Sequence, residues 1–181
     1  MKATETHLKG CFILEPQVYE DKRGYFFESF NKEKFNTIIG QDINFVQDNQ
    51  SRSFKGVLRG LHYQTGKHAQ AKLVRVIKGL VLDVAVDIRE GSVTFGQQVS
   101  VELSNKNKKQ LFIPRGFAHG FIVLSDEAVF SYKCDNYYNK ESEAGIIYND
   151  PKLNIDWGLS ESEIIVSEKD VLLPKLDNAI L

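Results

Sequence analysis

Three polar side chains stand where an ordinary β-protein would carry hydrocarbon. His62 lies inside the strand-like run Val57-Leu58-Arg59-Gly60-Leu61-His62-Tyr63-Gln64. Asp83 sits in an apolar run between Val81 and Ala85, and Lys72 shares the parity of Val74 and Val76. Burying an unpaired carboxylate or ammonium is costly, so each of these groups needs a partner. Any one of them alone reads most simply as a satisfied structural residue. Three on neighbouring predicted strands point instead to a polar site inside a barrel. A free imidazole titrates near about pH 6.5 and is suited to taking a proton from carbon at neutral pH.

Such a base needs an acceptor on its second ring nitrogen. Two carboxylates qualify, Asp83 and Asp170. Ser167-Glu168-Lys169-Asp170 also fits an S-x-x-D cap opening a last helix, so the residues leave the choice open. Tyr132, in Phe130-Ser131-Tyr132-Lys133, can return a proton or pack in the core. The loop Asn136-Tyr137-Tyr138-Asn139 can stack on a base, or simply turn at the surface.

Other chemistries are missing. No GxGxxG, GxxxxGK[ST] or GxSxG occurs, which argues against a dinucleotide fold, a P-loop and a serine elbow. His62 and His68 are separated by the polar loop Thr65-Gly66-Lys67-His68 with no third ligand nearby, so no metal centre is expected. Twenty-three basic residues against 24 acidic ones leave a net charge of −1, unlike the positive excess of a nucleic-acid binder. Cys11 and Cys134 stand among apolar neighbours and read as buried free thiols. The polar N-terminus lacks a signal-peptide core, and no apolar run approaches the ~18 residues of a membrane span. A cytoplasmic protein without membrane contact is expected, with its 181 residues in one domain.

The elements that must position these groups are mostly short strands. Residues 24–30 are aromatic and strand-prone. A helix follows, with Asn31 as N-cap, Phe35, Ile38 and Ile39 at helical spacing, and Gly40 as its stop. Further strands are expected over residues 57–64, 71–77, 80–88, 97–103, 110–114, 117–124, 128–134 and 145–148, and a short helix over 169–173. This spacing predicts an all-β sandwich or barrel. One conflict arises within it. Arg59 and His62 are three apart and should face opposite sides of a regular strand. A bulge or twist at Gly60 is therefore expected, bringing both into the barrel.

Six further segments accompany the hexapeptide Arg59–Gln64. They are Asp21-Lys22-Arg23-Gly24-Tyr25-Phe26-Phe27-Glu28, Phe45-Val46-Gln47-Asp48-Asn49-Gln50-Ser51, Lys72-Leu73-Val74-Arg75, Asp83-Val84-Ala85-Val86-Asp87-Ile88-Arg89, Ile113-Pro114-Arg115-Gly116-Phe117-Ala118-His119-Gly120-Phe121 and Ser167-Glu168-Lys169-Asp170. In this order and spacing the chain resembles the dTDP-4-dehydrorhamnose 3,5-epimerases over nearly its whole length. The resemblance implies a cupin-type jelly-roll barrel with a few short helices, a homodimer and no cofactor. It implies epimerisation of dTDP-4-dehydro-6-deoxy-D-glucose at C3 and C5, in dTDP-L-rhamnose biosynthesis for bacterial surface polysaccharide.

Carried over by position, the resemblance makes His62 the general base, Asp170 its orienting carboxylate, Tyr132 the proton donor and Lys72 the group steadying the enolate oxygen. Arg23, Glu28, Gln47, Asp48, Asn49, Arg59, His119, Glu143 and Lys169 match positions that hold the nucleotide sugar, and Tyr138 the one that stacks on thymine. The chain departs from the family pattern at Thr65-Gly66-Lys67-His68 and at Trp157-Gly158, where prolines are frequent. Rival readings are an epimerase of one carbon, a ketoisomerase, and a non-catalytic sugar-binding cupin.

Overall fold

Alternation of apolar and polar residues decides which face each strand buries. In the computed structural model, which describes residues 1–181, it builds two antiparallel sheets and one separate hairpin. Strands β1 (Lys2–Glu5) and β2 (Phe12–Glu15) come first, followed by the hairpin of β3 (Val18–Asp21) and β4 (Gly24–Phe27). Helix α1 (Lys32–Ile39) starts where the Asn31 side chain accepts the Lys34 N–H, and it stops at Gly40, left-handed at φ 68°. The chain then runs through β5 (Gln47–Phe54), β6 (Leu58–Gln64), β7 (Lys72–Lys78) and β8 (Leu80–Asp87). After these come β9 (Gln98–Ser104), β10 (Gln110–Ile113), β11 (Phe117–Val123), β12 (Glu127–Cys134) and β13 (Glu143–Gly145).

One sheet has the order β1-β2-β10-β7-β12-β5 and the other β13-β6-β11-β8-β9. Between them lies a core to which β7 and β12 give Val74, Val76 and Phe130, and β8 and β11 give Val81, Phe121 and Val123. Helix α1 covers the six-stranded sheet from outside, packing Phe35 and Ile39 on Leu14, Leu73 and Phe112. The segment after β13 covers the other sheet, bringing Ile146, Trp157 and Leu176 onto Leu61, Val84 and Ile122. β11, buried at every residue, is thus sandwiched on both faces, as its unbroken apolar character requires. The architecture is the expected all-β jelly roll of the cupin type.

Several expectations need adjusting. β7 and β8 follow one another through Lys78-Gly79 yet lie in opposite sheets, with Gly79 (φ 87°) turning the corner. Consequently His62 and Asp83 sit in one sheet on strands separated by β11, while Lys72 faces them from the other sheet. The strand-prone run after Gly24 ends at Phe27, and β13 begins two residues before its expected start. The last helix is a single 3-10 turn, Asp170–Leu172. β1 and β2 had no clear sequence signal, because short edge strands carry too few alternating positions.

The bulge expected at Gly60 is present. His119 pairs with His62 and Phe121 with Arg59, so three residues of β6 advance where β11 advances two. Gly60 has φ 128°. A Cβ there would lie 2.5 Å from Gly120 Cα and 2.8 Å from the His119 carbonyl oxygen. Gly60→Ala is therefore expected to destabilise the fold by about 3 kcal/mol or more, measurable by urea denaturation.

Candidate active site

The bulge has a direct consequence: Arg59 and His62 line the same cavity, of about 530 Å³, between the two sheets. β7 supplies Lys72, β11 supplies His119 and Phe121, β12 supplies Phe130 and Tyr132, and the 3-10 turn supplies Asp170. Arg59 stands at the exposed mouth, its Nε donating to Ser53 Oγ at 3.1 Å.

Both candidate carboxylates hold an imidazole, but different ones. His62 Nε2 lies 2.8 Å from Asp170 Oδ1, and the Gly60 N–H donates to Asp170 Oδ2 at 3.4 Å. Asp83, fully buried, meets His119 Nε2 at 2.9 and 3.1 Å. His62 and His119 are direct cross-strand neighbours, and each reaches its own partner. In both rings Nδ1 has no protein hydrogen-bond partner and is accessible. The Ser167 side chain accepts the Asp170 N–H at 3.1 Å, so the turn is capped while the Asp170 carboxylate remains free to hold His62.

The electrostatics follow from this packing. Burial alone would raise the Asp170 carboxyl, but the His62 ring, the Gly60 N–H and Ser167 outweigh it and bring it below the ordinary carboxylate range. The carboxyl titrates lower when folded than when unfolded. Its stabilising contribution is therefore complete above the unfolded value and is lost as pH falls through the folded one. Burial lowers the His119 imidazole, helped by Lys72 and His62 and opposed by Asp83, so the ring leans toward neutrality. Lys72 is half-buried, and burial lowers its ammonium against the pull of Cys134, Asp83 and Glu143. The ammonium makes no hydrogen bond or ion pair within the chain and borders the cavity. Burial also raises the Tyr132 phenol, which stays protonated at neutral pH.

A second cavity of about 300 Å³ shares His62, Lys72 and Tyr132 with the first. Its walls carry Gln47, Asn49, Tyr138 and Glu143, tied together by hydrogen bonds. Tyr138 Oη donates to Glu143 Oε2 at 2.8 Å, and Lys169 Nζ donates to Glu143 Oε1 at 2.6 Å. Gln47 accepts the Tyr138 N–H at 3.0 Å and donates to Asn49 at 3.1 Å. Tyr138 leaves half its surface exposed, as a stacking platform requires.

Three sequence-predicted residues border neither cavity. Arg23 pairs with Asp21 at 2.6 Å on the β3–β4 hairpin, and Glu28 pairs with Lys34 at 2.9 Å. Asp48 lies on the opposite face of β5 from Gln47 and Asn49, bound to Lys133 at 2.8 Å. Conversely, Ser53, Phe121 and Phe130 belong to the site although sequence reasoning did not single them out. The signal for Ser53 was parity: Gln47, Asn49, Ser51 and Ser53 alternate along one inward face of β5. The phenylalanines gave none, since they look like ordinary core. No group of three His, Cys, Asp or Glu side chains converges as metal ligands would.

Comparison with known proteins places this arrangement in a family. Residues 5–178 match the family model described as dTDP-4-dehydrorhamnose 3,5-epimerase. The Escherichia coli K12 enzyme of that name is 55% identical over 180 residues, covering 99% of this chain and 97% of that one. The crystal structure of the enzyme from Elizabethkingia anophelis superposes with a TM-score of 0.95 at 58% identity, covering 98% and 97% of the two chains. A Legionella pneumophila dTDP-6-deoxy-D-glucose-3,5-epimerase, solved with dTDP-4-keto-L-rhamnose, gives 0.94 at 52% identity, covering 98% and 93%. Matched end to end in sequence and in fold, the chain belongs to the dTDP-4-dehydrorhamnose 3,5-epimerase family.

Proposed function

We propose that this chain epimerises dTDP-4-dehydro-6-deoxy-D-glucose at C3 and C5, giving dTDP-4-dehydro-L-rhamnose for dTDP-L-rhamnose biosynthesis. The observation that carries this is the His62–Asp170 pair on one sheet, opposed by an unpaired Lys72 ammonium and a protonated Tyr132 phenol on the other. The hydrogens on C3 and C5 are both alpha to the C4 ketone, so one carbonyl acidifies both. His62 takes a proton through its unpaired Nδ1, and Asp170 stabilises the imidazolium that forms. Charge then develops on O4, where the Lys72 ammonium meets it. Tyr132, reaching the sugar from the opposing sheet, returns a proton to the other face, which inverts the centre. No net oxidation occurs.

The test is turnover in heavy water with deuterium counted by carbon. Deuterium at both C3 and C5 is expected. Incorporation at one carbon alone would make the chain a single-site epimerase, and none would leave a sugar-binding protein without catalysis.

Tyr138 is the platform for the thymine ring, with Gln47, Asn49, Glu143 and Lys169 framing it. His119 borders the sugar and Arg59 meets the diphosphate by charge-assisted hydrogen bonds. Ser53, which steadies Arg59, then tunes binding and not chemistry. Ser53→Ala is expected to raise KM about 3- to 10-fold with kcat nearly unchanged, read from steady-state kinetics.

Arg23 and Glu28 enter the reading through a second copy of the chain. The hairpin that carries Arg23 leaves Tyr19, Tyr25 and Phe26 63%, 57% and 70% exposed. A homodimer would cover these rings and bring both charged residues to the partner's nucleotide. Light scattering is expected to give twice the monomer mass, and Arg23→Ala to raise KM while leaving that mass unchanged. The 181 residues work as one domain, in the cytoplasm, where Cys11 and Cys134 stay reduced.

A further inference from the structure

The cavity floor is chemically unlike its rim. Phe121 and Phe130 stack with ring centroids 4.1 Å apart and planes 16° from parallel. The Phe130 ring lies 6.1 Å from both His119 and Tyr132, directly beside the groups that face the sugar. Phe121 and Phe130 are 5% and 1% exposed. The Arg59 Nε and the Ser53 hydroxyl are committed to one another, and the rest of the guanidinium serves the diphosphate. Apart from the Tyr132 phenol, which the reaction uses, the uncommitted hydroxyl beside the pair is that of Ser51, the cross-strand neighbour of Phe130. A polar substituent pressed onto this floor loses water and finds few replacements.

We propose that the stacked Phe121–Phe130 pair is the specificity element for the sugar's C6 methyl group. This inference rests on the epimerase reading. Tyr132 must reach C5 to return its proton, and C6 is bonded to C5. Phe130, two residues along the same face of β12, is therefore the nearest apolar surface to that substituent. C6 is also the sole apolar substituent on this sugar. The pair thus selects a 6-deoxy sugar against the same sugar carrying a C6 hydroxyl.

Two stable nucleotide sugars without a ketone isolate the effect: dTDP-glucose and dTDP-6-deoxy-D-glucose, which differ only by the C6 hydroxyl. Calorimetric titration of the full chain is expected to show the deoxy sugar binding about 10- to 100-fold more tightly. Phe121→Asn is expected to shrink that ratio below about 3-fold, whereas Phe121→Leu, which keeps the floor apolar, preserves most of it. Equal or tighter binding of dTDP-glucose by the unmodified chain overturns the proposal, because Ser51 or another group would then be serving the hydroxyl. That comparison needs no variant, so it decides even if Phe121→Asn fails to fold. Deuterium exchange measured on the same preparation separates the two levels. Exchange with equal affinities removes the floor's role alone, and absence of exchange removes the epimerase reading and this inference with it.

Discussion

Replacing His62 by alanine is expected to lower kcat by about 10³-fold, near 4 kcal/mol of barrier, and to abolish deuterium incorporation at both carbons. A single imidazole borders both cavities and has a carboxylate behind it, so one base is expected to serve both proton removals and both signals to vanish together. His119 does not substitute for it. Burial weakens its ring as a base, and it borders only one of the two cavities; full retention of exchange in the His62 variant would assign the base to His119 instead. Asp170→Asn is expected to cost about 10²- to 10⁴-fold in kcat, as at other His–Asp pairs where the amide loses the charge that stabilises imidazolium. Affinity for dTDP alone is expected to hold in both variants, because Tyr138, Gln47 and Asn49 lie on the other arm of the site.

The second large effect is at Lys72, and its sign differs between activity and stability. Lys72→Met removes the only ammonium bordering both cavities, the charge proposed to meet the developing enolate. A loss of about 10²- to 10³-fold in kcat is expected, equivalent to roughly 3–4 kcal/mol. The folded protein, by contrast, holds this ammonium against burial without an ion pair. Replacing it with a hydrocarbon of similar volume relieves that cost. Thermal unfolding of Lys72→Met is therefore expected at the same temperature or higher. A structural lysine would behave oppositely, losing stability and activity together. Measuring Tm and kcat on one preparation distinguishes the two.

Much of this molecule is legible in its sequence. Period-2 alternation and turn residues marked most of the strands, because both are local properties of the chain. Asn31 and Gly40 bracketed helix α1 for the same reason, since a cap is made within a few residues. The conflict between Arg59 and His62 was itself informative. Two side chains needed in one cavity at an odd spacing required an irregular strand, and Gly60 was the residue able to supply it.

What the sequence by itself determined was therefore the all-β class, the bulge and the reactive residue types. The tertiary structure decided their partnerships. By residue pattern alone Asp83 and Asp170 were equivalent candidates; the resemblance favoured Asp170, and the folded sheets give Asp83 to His119 and Asp170 to His62. The physical reason is distance: Asp170 lies 108 positions from His62, and no local periodicity encodes which remote turn docks on β6. The same holds for Lys72, which two packed sheets, and not strand order, bring opposite His62. Phe121 and Phe130 carry the point furthest. In sequence they are ordinary core residues, and only the cavity above them makes them a floor.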